Sequence, residues 1–412
     1  MTTMSRPPDS DPAASVPLDP DLLRGDPVAW TRALVAVPSV NPSLEPGGDG
    51  EGPAADLIIP YLKSWGFTVD RSEPEAGRVS LVARMGKGSP VLGLCGHLDT
   101  VGVASMSIPP FLPEVRAGRL FGRGSADMKS GLASILAAAA AVARDGGPHH
   151  GTLALVFTAD EEHASLGLRH LLDTGLTADA VVVTEPTSLA LTPANKGFLW
   201  ATVRARGRAS HGSRPDVGRD AIRQMGRVLA ALDIDDLGLQ SGDAAHLLLG
   251  PESLHAGTIR GGEAPSIYPE HCLLELEFRL LPDTEPAAIL RRLTGLLERV
   301  EAEHPGVSLH LDPGMERPGA ELSAEAALVR LLGEALEDEG LPARVEGMTA
   351  WVESAWFMEA GIPSLCFGPG SIGDAHTADE SVPVVEVQQA ASVLERLARR
   401  VLDAGAVLKA PS

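Results

Sequence analysis

Cysteine is scarce in this chain of 412 residues: Cys95, Cys272 and Cys366 are the three present, and they lie far apart. That spacing excludes the close pairs that structural zinc and redox sites use, and it excludes a disulfide framework as the basis of the fold. Basic residues are outnumbered, with 34 Lys and Arg against 55 Asp and Glu and a formal charge of −21. So acidic a chain is poorly suited to a phosphate backbone, and no nucleic-acid partner is expected. Long apolar runs are missing too. The longest, Leu132 to Ala143, is mostly alanine and falls short of the roughly 20 residues that cross a bilayer, so it reads as a closely packed buried helix and no membrane partner is expected. Residues 1–20 are rich in Pro, Asp and Ser and lack the basic start and apolar stretch of a secretory signal. They are expected to form a disordered tail, and the chain a cytoplasmic protein.

What is present organises into two units, as a chain of this length leads one to expect. Pro27 to Val37 and Ala54 to Trp65 read as amphipathic helices, and Phe67 to Val69 and Val79 to Val82 as strands. Four apolar, β-branched runs have the character of buried strands: Val91 to Cys95, Leu153 to Phe157, Ala180 to Thr184 and Ile362 to Phe367. Helical segments lie between them, including Lys129 to Arg144 and Leu166 to Leu172. The expected fold class is therefore α/β, a mixed, mostly parallel sheet covered by helices. Between residues 196 and 312 the order becomes strand, helix, two strands, helix, strand, a β-α-β-β-α-β unit. The expected division is a discontinuous catalytic unit, residues 21–195 and 313–405, interrupted by an inserted unit at 196–312.

In an open α/β sheet ligands bind beyond the carboxyl ends of the strands, and there this chain is rich in metal-ligating residues. His97 and Asp99 follow the first buried run, Asp160, Glu161 and Glu162 the second, Glu185 the third and His376 the fourth. A further loop, Gly122-Arg123-Gly124-Ser125-Ala126-Asp127-Met128-Lys129, ends in an acid at the start of a helix. Each residue alone is an ordinary loop group. Together, two imidazoles and several carboxylates would repel and shift one another's pKa values without a cation among them. His97 and Asp99, two apart in extended chain, share a side. One suits a metal, and the other suits support of the ring, by carboxylate, water or backbone. Adjacent Glu161 and Glu162 diverge, so that one can ligate while the other faces substrate.

Gly96-His97-Leu98-Asp99-Thr100, the Gly122 to Gly131 segment, Thr158-Ala159-Asp160-Glu161-Glu162 and Ala375-His376-Thr377-Ala378-Asp379-Glu380 resemble the ordered signatures of a dizinc hydrolase family. That family contains acetylornithine deacetylase, succinyl-diaminopimelate desuccinylase, aminoacylase and carboxypeptidase G, and the resemblance runs from about Leu34 to about Val401. It implies a zinc-exopeptidase-like catalytic domain with a ferredoxin-like lid and dimerisation domain, two zinc ions (cobalt or manganese in their place), and Asp127 bridging them. His97 and Glu185 would complete one site, Glu162 and His376 the other. It also implies a non-proline cis peptide at Asp127-Met128, Asp99 in support of the metal site, and Glu161 as general base toward a water shared by the ions. His211, in Ala209-Ser210-His211-Gly212, matches a histidine that reaches a partner subunit's site, which implies a homodimer. Arg279 matches an arginine that binds a substrate carboxylate.

Two positions depart from the family pattern: Ser266 stands where relatives carry Asn, and Glu353 where they often carry Asp. Both bear on substrate recognition and leave the metal ligands intact. Glu at position 185 goes with deacylases and carboxypeptidases in this family, so the expected substrate is a small N-acyl amino acid with a free carboxylate, cleaved by an acetylornithine deacetylase-like deacylase. The alternative is a carboxypeptidase or dipeptidase acting on short peptides. A non-catalytic binding protein on the same fold would be signalled by loss of Glu161 or a ligand, and none is lost.

Overall fold

The computed structural model describes residues 17–234, 237–403 and 408. Of the expected tail, residues 1–16 lie outside the described residues, as do 404 and 405 at the end of the expected catalytic unit. Residues 17–20 do not form a tail as expected: Leu18 packs against the core and Pro20 opens a helix. Asp19 and Asp26 turn their carboxylates onto the first N–H groups of two helices, α1 (Pro20–Arg24) and α2 (Pro27–Ala36), each with Pro in its first turn. That satisfies donors the helix itself leaves unpaired.

The helix α3 (Gly52–Ser64) leads into β1 (Thr68–Glu75), β2 (Arg78–Lys87) and β3 (Val91–His97). A short hairpin follows, β4 (Glu114–Arg116) and β5 (Arg119–Phe121), then α4 (Ser130–Arg144), β6 (Gly151–Thr158), α5 (Leu166–Asp173), β7 (Ala180–Val183) and β8 (Leu191–Asn195). β3, β6 and β7 are buried almost throughout, which is why their sequences are continuous apolar runs instead of alternating ones. α4 is buried from Ser130 to Val142. With the turn before it, the segment Ser125–Arg144 is long and apolar enough to cross a membrane, but 94% of its apolar window is buried inside the protein, and its alanines let α2 and the helix Val384–Leu402 approach closely.

From Gly197 the pattern turns to alternation. β9 (Gly197–Arg206), α6 (Ala221–Leu232), β10 (Ser253–Gly261), β11 (His271–Leu280), α7 (Pro286–Glu303) and β12 (Leu309–Arg317) follow in order. The strands form a separate antiparallel sheet, β10-β11-β9-β12, whose buried face and two helices enclose their own apolar cluster, with Phe278, Leu293 and Met225 inside it. β12 passes residue 312 and ends at Arg317, with a register irregularity between Pro313 and Glu316. The expected boundary at 312 therefore falls inside a kinked strand, at Asp312-Pro313-Gly314.

The chain then returns through β13 (Ala320–Glu321), α8 (Ala327–Asp338), β14 (Val345–Met348), α9 (Ser354–Glu359), β15 (Ser364–Cys366), β16 (Ser381–Pro383) and α10 (Val384–Leu402). The main sheet runs β1-β2-β6-β3-β7-β15-β8-β13, with β14 also on β8. Its central four strands, β6-β3-β7-β15, are parallel, while β1, β2, β8 and β13 join antiparallel at the flanks. Hence the carboxyl ends of β3, β6, β7 and β15 share one edge.

Candidate metal centre

His97 ends β3 and is 1% exposed. Its Nδ1 lies 3.0 Å from the Asp99 backbone carbonyl, and the Asp99 carboxylate is farther, at 3.7 Å. Of the means of support left open by the sequence, the backbone is therefore the nearest. The Asp99 carboxylate is turned instead to the next segment, where it accepts the Glu161 and Glu162 backbone N–H groups, each at 3.2 Å. With Nδ1 donating to a carbonyl, Nε2 is the nitrogen left to face the cluster, and it can donate an electron pair once the ring is neutral. That Nε2 points at Asp127 Oδ1, 3.1 Å away.

Asp127 is held by a wide turn, Ser125–Lys129, whose Asp127 and Met128 leave helical dihedrals and are joined by a cis peptide. The turn is anchored from below by a residue whose role sequence reasoning missed: Glu380 accepts the N–H groups of Ala126 and Asp127 at 2.9 and 3.1 Å and an Arg123 guanidinium bond at 2.6 Å. Both partners sit inside motifs quoted above, but nothing in their spacing signals that they meet across the fold.

Glu161 and Glu162 do not diverge along extended chain as expected. They leave β6 through a sharp corner at Asp160, whose φ is 68°, and the corner sends their carboxylates apart. Glu162 Oε2 is 3.1 Å from His376 Nε2, which in turn lies 3.4 Å from Asp127 Oδ2. Ligand atoms of His97, Asp127 and Glu162 all fall within 4.8 Å of one another. Glu161 Oε2 stands 3.8 Å from His97 Nε2. Glu185, just beyond β7, is 2% exposed, and its Oε1 is buried without a hydrogen-bond partner.

The electrostatics follow from this crowding. Burial, with the neighbouring acids, pushes Glu161 and Glu185 well above the usual carboxylate range and raises Glu162 as well. Burial works to lower His97, but its bond to Asp127 and the charges of Glu161 and Glu185 hold it well above its ordinary value. Bonds to Asp127 and Glu162 raise His376 to about 10. Burial also works to raise Asp127, and the two imidazoles reverse that and hold it low. Such a set takes up protons where a multivalent cation would otherwise balance it. The orphaned Glu185 oxygen and the mixed imidazole and carboxylate donors fit a borderline divalent ion.

Glu353 belongs beside this cluster. It is 1% exposed, accepts the Thr158 hydroxyl at 2.6 Å on Oε2, and has Oε1 unpartnered. Burial raises it to about 8. Three expected residues are not brought to the cluster. Arg279, on β11, pairs with Glu277 and lies 5.6 Å over the Phe198 ring. His211 contacts Ser213 at 2.8 Å and bridges to Ile267, and Ser266 accepts the Gly212 N–H at 2.7 Å through its carbonyl.

Buried carboxylates, the buried His97 and the exposed His376, gathered at the strand ends of a sheet with a parallel centre, are the donor set of a metal-dependent hydrolase of α/β architecture. The model of peptidase family M20/M25/M40 matches residues 93–400, and the chain belongs to that family. It is 31% identical over 353 residues to an acetylornithine deacetylase of Myxococcus xanthus, covering 84% of this chain and 90% of that one. It is also 31% identical over 392 residues to a putative succinyl-diaminopimelate desuccinylase of Mycobacterium tuberculosis, covering 91% and 98%. Among solved structures, a Staphylococcus aureus tripeptidase superposes with TM-score 0.77 at 21% identity, over 92% of this chain and 99% of that one. A dinuclear metal-binding peptidase of the family from Bacillus subtilis superposes with TM-score 0.70 at 15% identity, over 92% and 99%.

Proposed function

We propose that this protein hydrolyses the amide bond of an N-acyl amino acid, with two zinc ions held by His97, Asp127 and Glu185 and by Asp127, Glu162 and His376. The observation that carries the reading is Glu161: a carboxylate 3.8 Å from His97 Nε2, raised by its surroundings and without a hydrogen bond from its side chain among the described residues. A dinuclear centre, when bound, makes water reactive near neutral pH and polarises a scissile carbonyl. Glu161 accepts the proton of the attacking water and returns it to the departing nitrogen, work open to a carboxylate with no other bond to keep. Asp99 keeps Glu161 and Glu162 in place through their N–H groups.

The deacylase reading draws support from the acetylornithine deacetylase and desuccinylase relatives at 31% identity, and from an acid of the longer kind, Glu185, at its position. Arg279, and with it Ser266 and Glu353, is assigned to recognition of the substrate's free carboxylate and acyl group. His211 is assigned to the site of a partner copy. The small sheet is read as a lid and dimerisation unit, since β10 is an edge strand exposed along nearly its whole length and offers unpaired backbone groups to a second copy. A reducing, cytoplasmic setting suits three buried free cysteines.

Protein reloaded with zinc, or with cobalt or manganese in its place, is to be assayed against N-acetyl, N-succinyl and N-formyl amino acids alongside dipeptides. Release of an amino acid from at least one N-acyl substrate, faster than from any dipeptide, is the expected result. Cleavage of dipeptides alone moves the assignment to a peptidase, and no turnover with metal bound moves it to a binding protein.

A further inference from the structure

Behind the corner that presents Glu161 and Glu162 runs a buried polar chain that the proposed chemistry does not use. The Asn41 amide donates to Asp99 Oδ2 at 2.7 Å and to Asp160 Oδ1 at 3.1 Å, while its oxygen accepts the Ser43 N–H at 2.9 Å. That last bond settles which end of the amide is nitrogen. Asp160 Oδ1 also accepts Arg78 Nη2 at 2.8 Å. The same guanidinium grips Glu51 through Nε at 3.2 Å and Nη2 at 2.8 Å and reaches Ser43 Oγ at 2.8 Å. Glu51 closes the chain by accepting the Asp160 backbone N–H at 3.2 Å. Asn41, Glu51 and Asp99 are 0% exposed, Asp160 2% and Arg78 5%.

Two buried carboxylates around one guanidinium are a poor means of stabilising a fold, because apolar groups of the same volume generally do as well or better. Their local effect is specific, however. Asp160 holds a left-handed backbone that non-glycine residues seldom adopt. Its Oδ2 accepts the Ala164 and Leu166 N–H groups at 3.2 and 3.4 Å, while Asp99 takes those of Glu161 and Glu162. The backbone of the corner is thus tied at every step, and the two glutamate side chains are left to face the cluster.

We propose that Asn41 and Arg78 are positioning residues: by orienting Asp99 and Asp160 they set the corner from which Glu161 and Glu162 project. This rests on the base and ligand roles given above to those two glutamates. The test titrates the full-length protein and its Asn41→Ala and Arg78→Lys variants with cobalt(II), followed by visible absorption. It also measures kcat, KM and thermal unfolding. Arg78→Lys keeps the charge and loses the fork. In both variants cobalt affinity is expected to weaken about 10- to 100-fold, the loss typical when a ligand's support is removed. The bound-cobalt spectrum shifts, and kcat at saturating cobalt falls while KM holds.

Folded variants with wild-type cobalt affinity and kcat, whatever their melting temperature, overturn the proposal. Should Asn41→Ala fail to fold, Asn41→Ser, which keeps a hydroxyl donor, decides by the same readouts. Glu161→Gln and Glu162→Gln run alongside separate the two levels. Wild-type kcat in the former or wild-type cobalt affinity in the latter removes the underlying roles. Losses in those two with none in Asn41→Ala and Arg78→Lys remove only the positioning.

Discussion

Glu161 and Glu162 are chemically identical neighbours given different work by what each meets. Glu162 faces His376 at 3.1 Å, as the proposed ligand role requires, while Glu161 has no hydrogen-bond partner for its side chain among the described residues and is 11% exposed, as the proposed base role requires. Replacing Glu161 by Gln keeps the size and removes the proton acceptor. Glu161→Gln is expected to bind metal as the wild type does and to lose about 10²- to 10⁴-fold in kcat, the usual worth of a positioned general base. Metal content by elemental analysis and steady-state rates on the same preparation check it, and a metal-loaded variant of normal activity sinks the role.

At the scale of elements, the first turn of α4 packs directly onto the end of β7. A methyl group at Gly131 would stand 2.2 Å from the Thr184 carbonyl oxygen and 2.7 Å from its hydroxyl, one residue before Glu185. Gly131→Ala is therefore expected to force strand and helix apart, lowering stability by about 1–3 kcal/mol, as overpacking does, and weakening metal binding through Glu185. Thermal unfolding with and without zinc measures both effects, and an unchanged melting temperature refutes the packing account.

The same scale shows what a sequence can display. β3, β6 and β7 were legible because strands buried on both faces must be apolar throughout. Their polar ends were legible because loops at that edge have little other reason to carry so many acids and imidazoles. β8 was not, since its Leu191-Thr192-Pro193-Ala194-Asn195 contains a proline and little periodicity. α8 and α10 both bury an apolar stripe, but neither carries a motif. The corner at Asp160 was not legible because the side chains that bond its carboxylate, Arg78 and Asn41, lie 82 and 119 residues away in the chain. Long-range bonds leave no local pattern.

For the whole molecule, the crowded acids predict an unusual pH response in metal-free protein. Glu353 and His376 have folded-state values raised to about 8 and about 10, above the roughly 4.3 and 6.5 of an unfolded chain. A raised group contributes stability that is complete below its unfolded value and is lost as pH climbs through its folded value. Lys129, lowered to about 7 by burial, and Lys196, also lowered by burial, act in the opposite sense, but against them stand these two and the raised His97, Glu161 and Glu185. Chelated protein should therefore melt at progressively lower temperature from pH 6.5 to pH 9, and reloading with zinc should flatten the profile. A metal-free melting temperature that rises over that interval contradicts the charge arrangement. The dimer assignment is checked separately by sedimentation: Ile259 and Ile267, exposed at 52% and 40%, sit on or beside the β10 edge, and a double Ile→Asp change there should convert a dimer to a monomer with its core intact.

β15 slots between β7 and β8, and His376 and Glu380 follow it, 376 and 380 residues into a chain of 412. During synthesis, then, the strands that carry His97, Glu162 and Glu185 leave the ribosome with a gap in their sheet and with the Asp127 turn lacking its anchor. Until the segment after β15 is made, the nascent protein lacks the second imidazole of the cluster and the anchor of the Asp127 turn, and a chain cut before His376 would lack both for good.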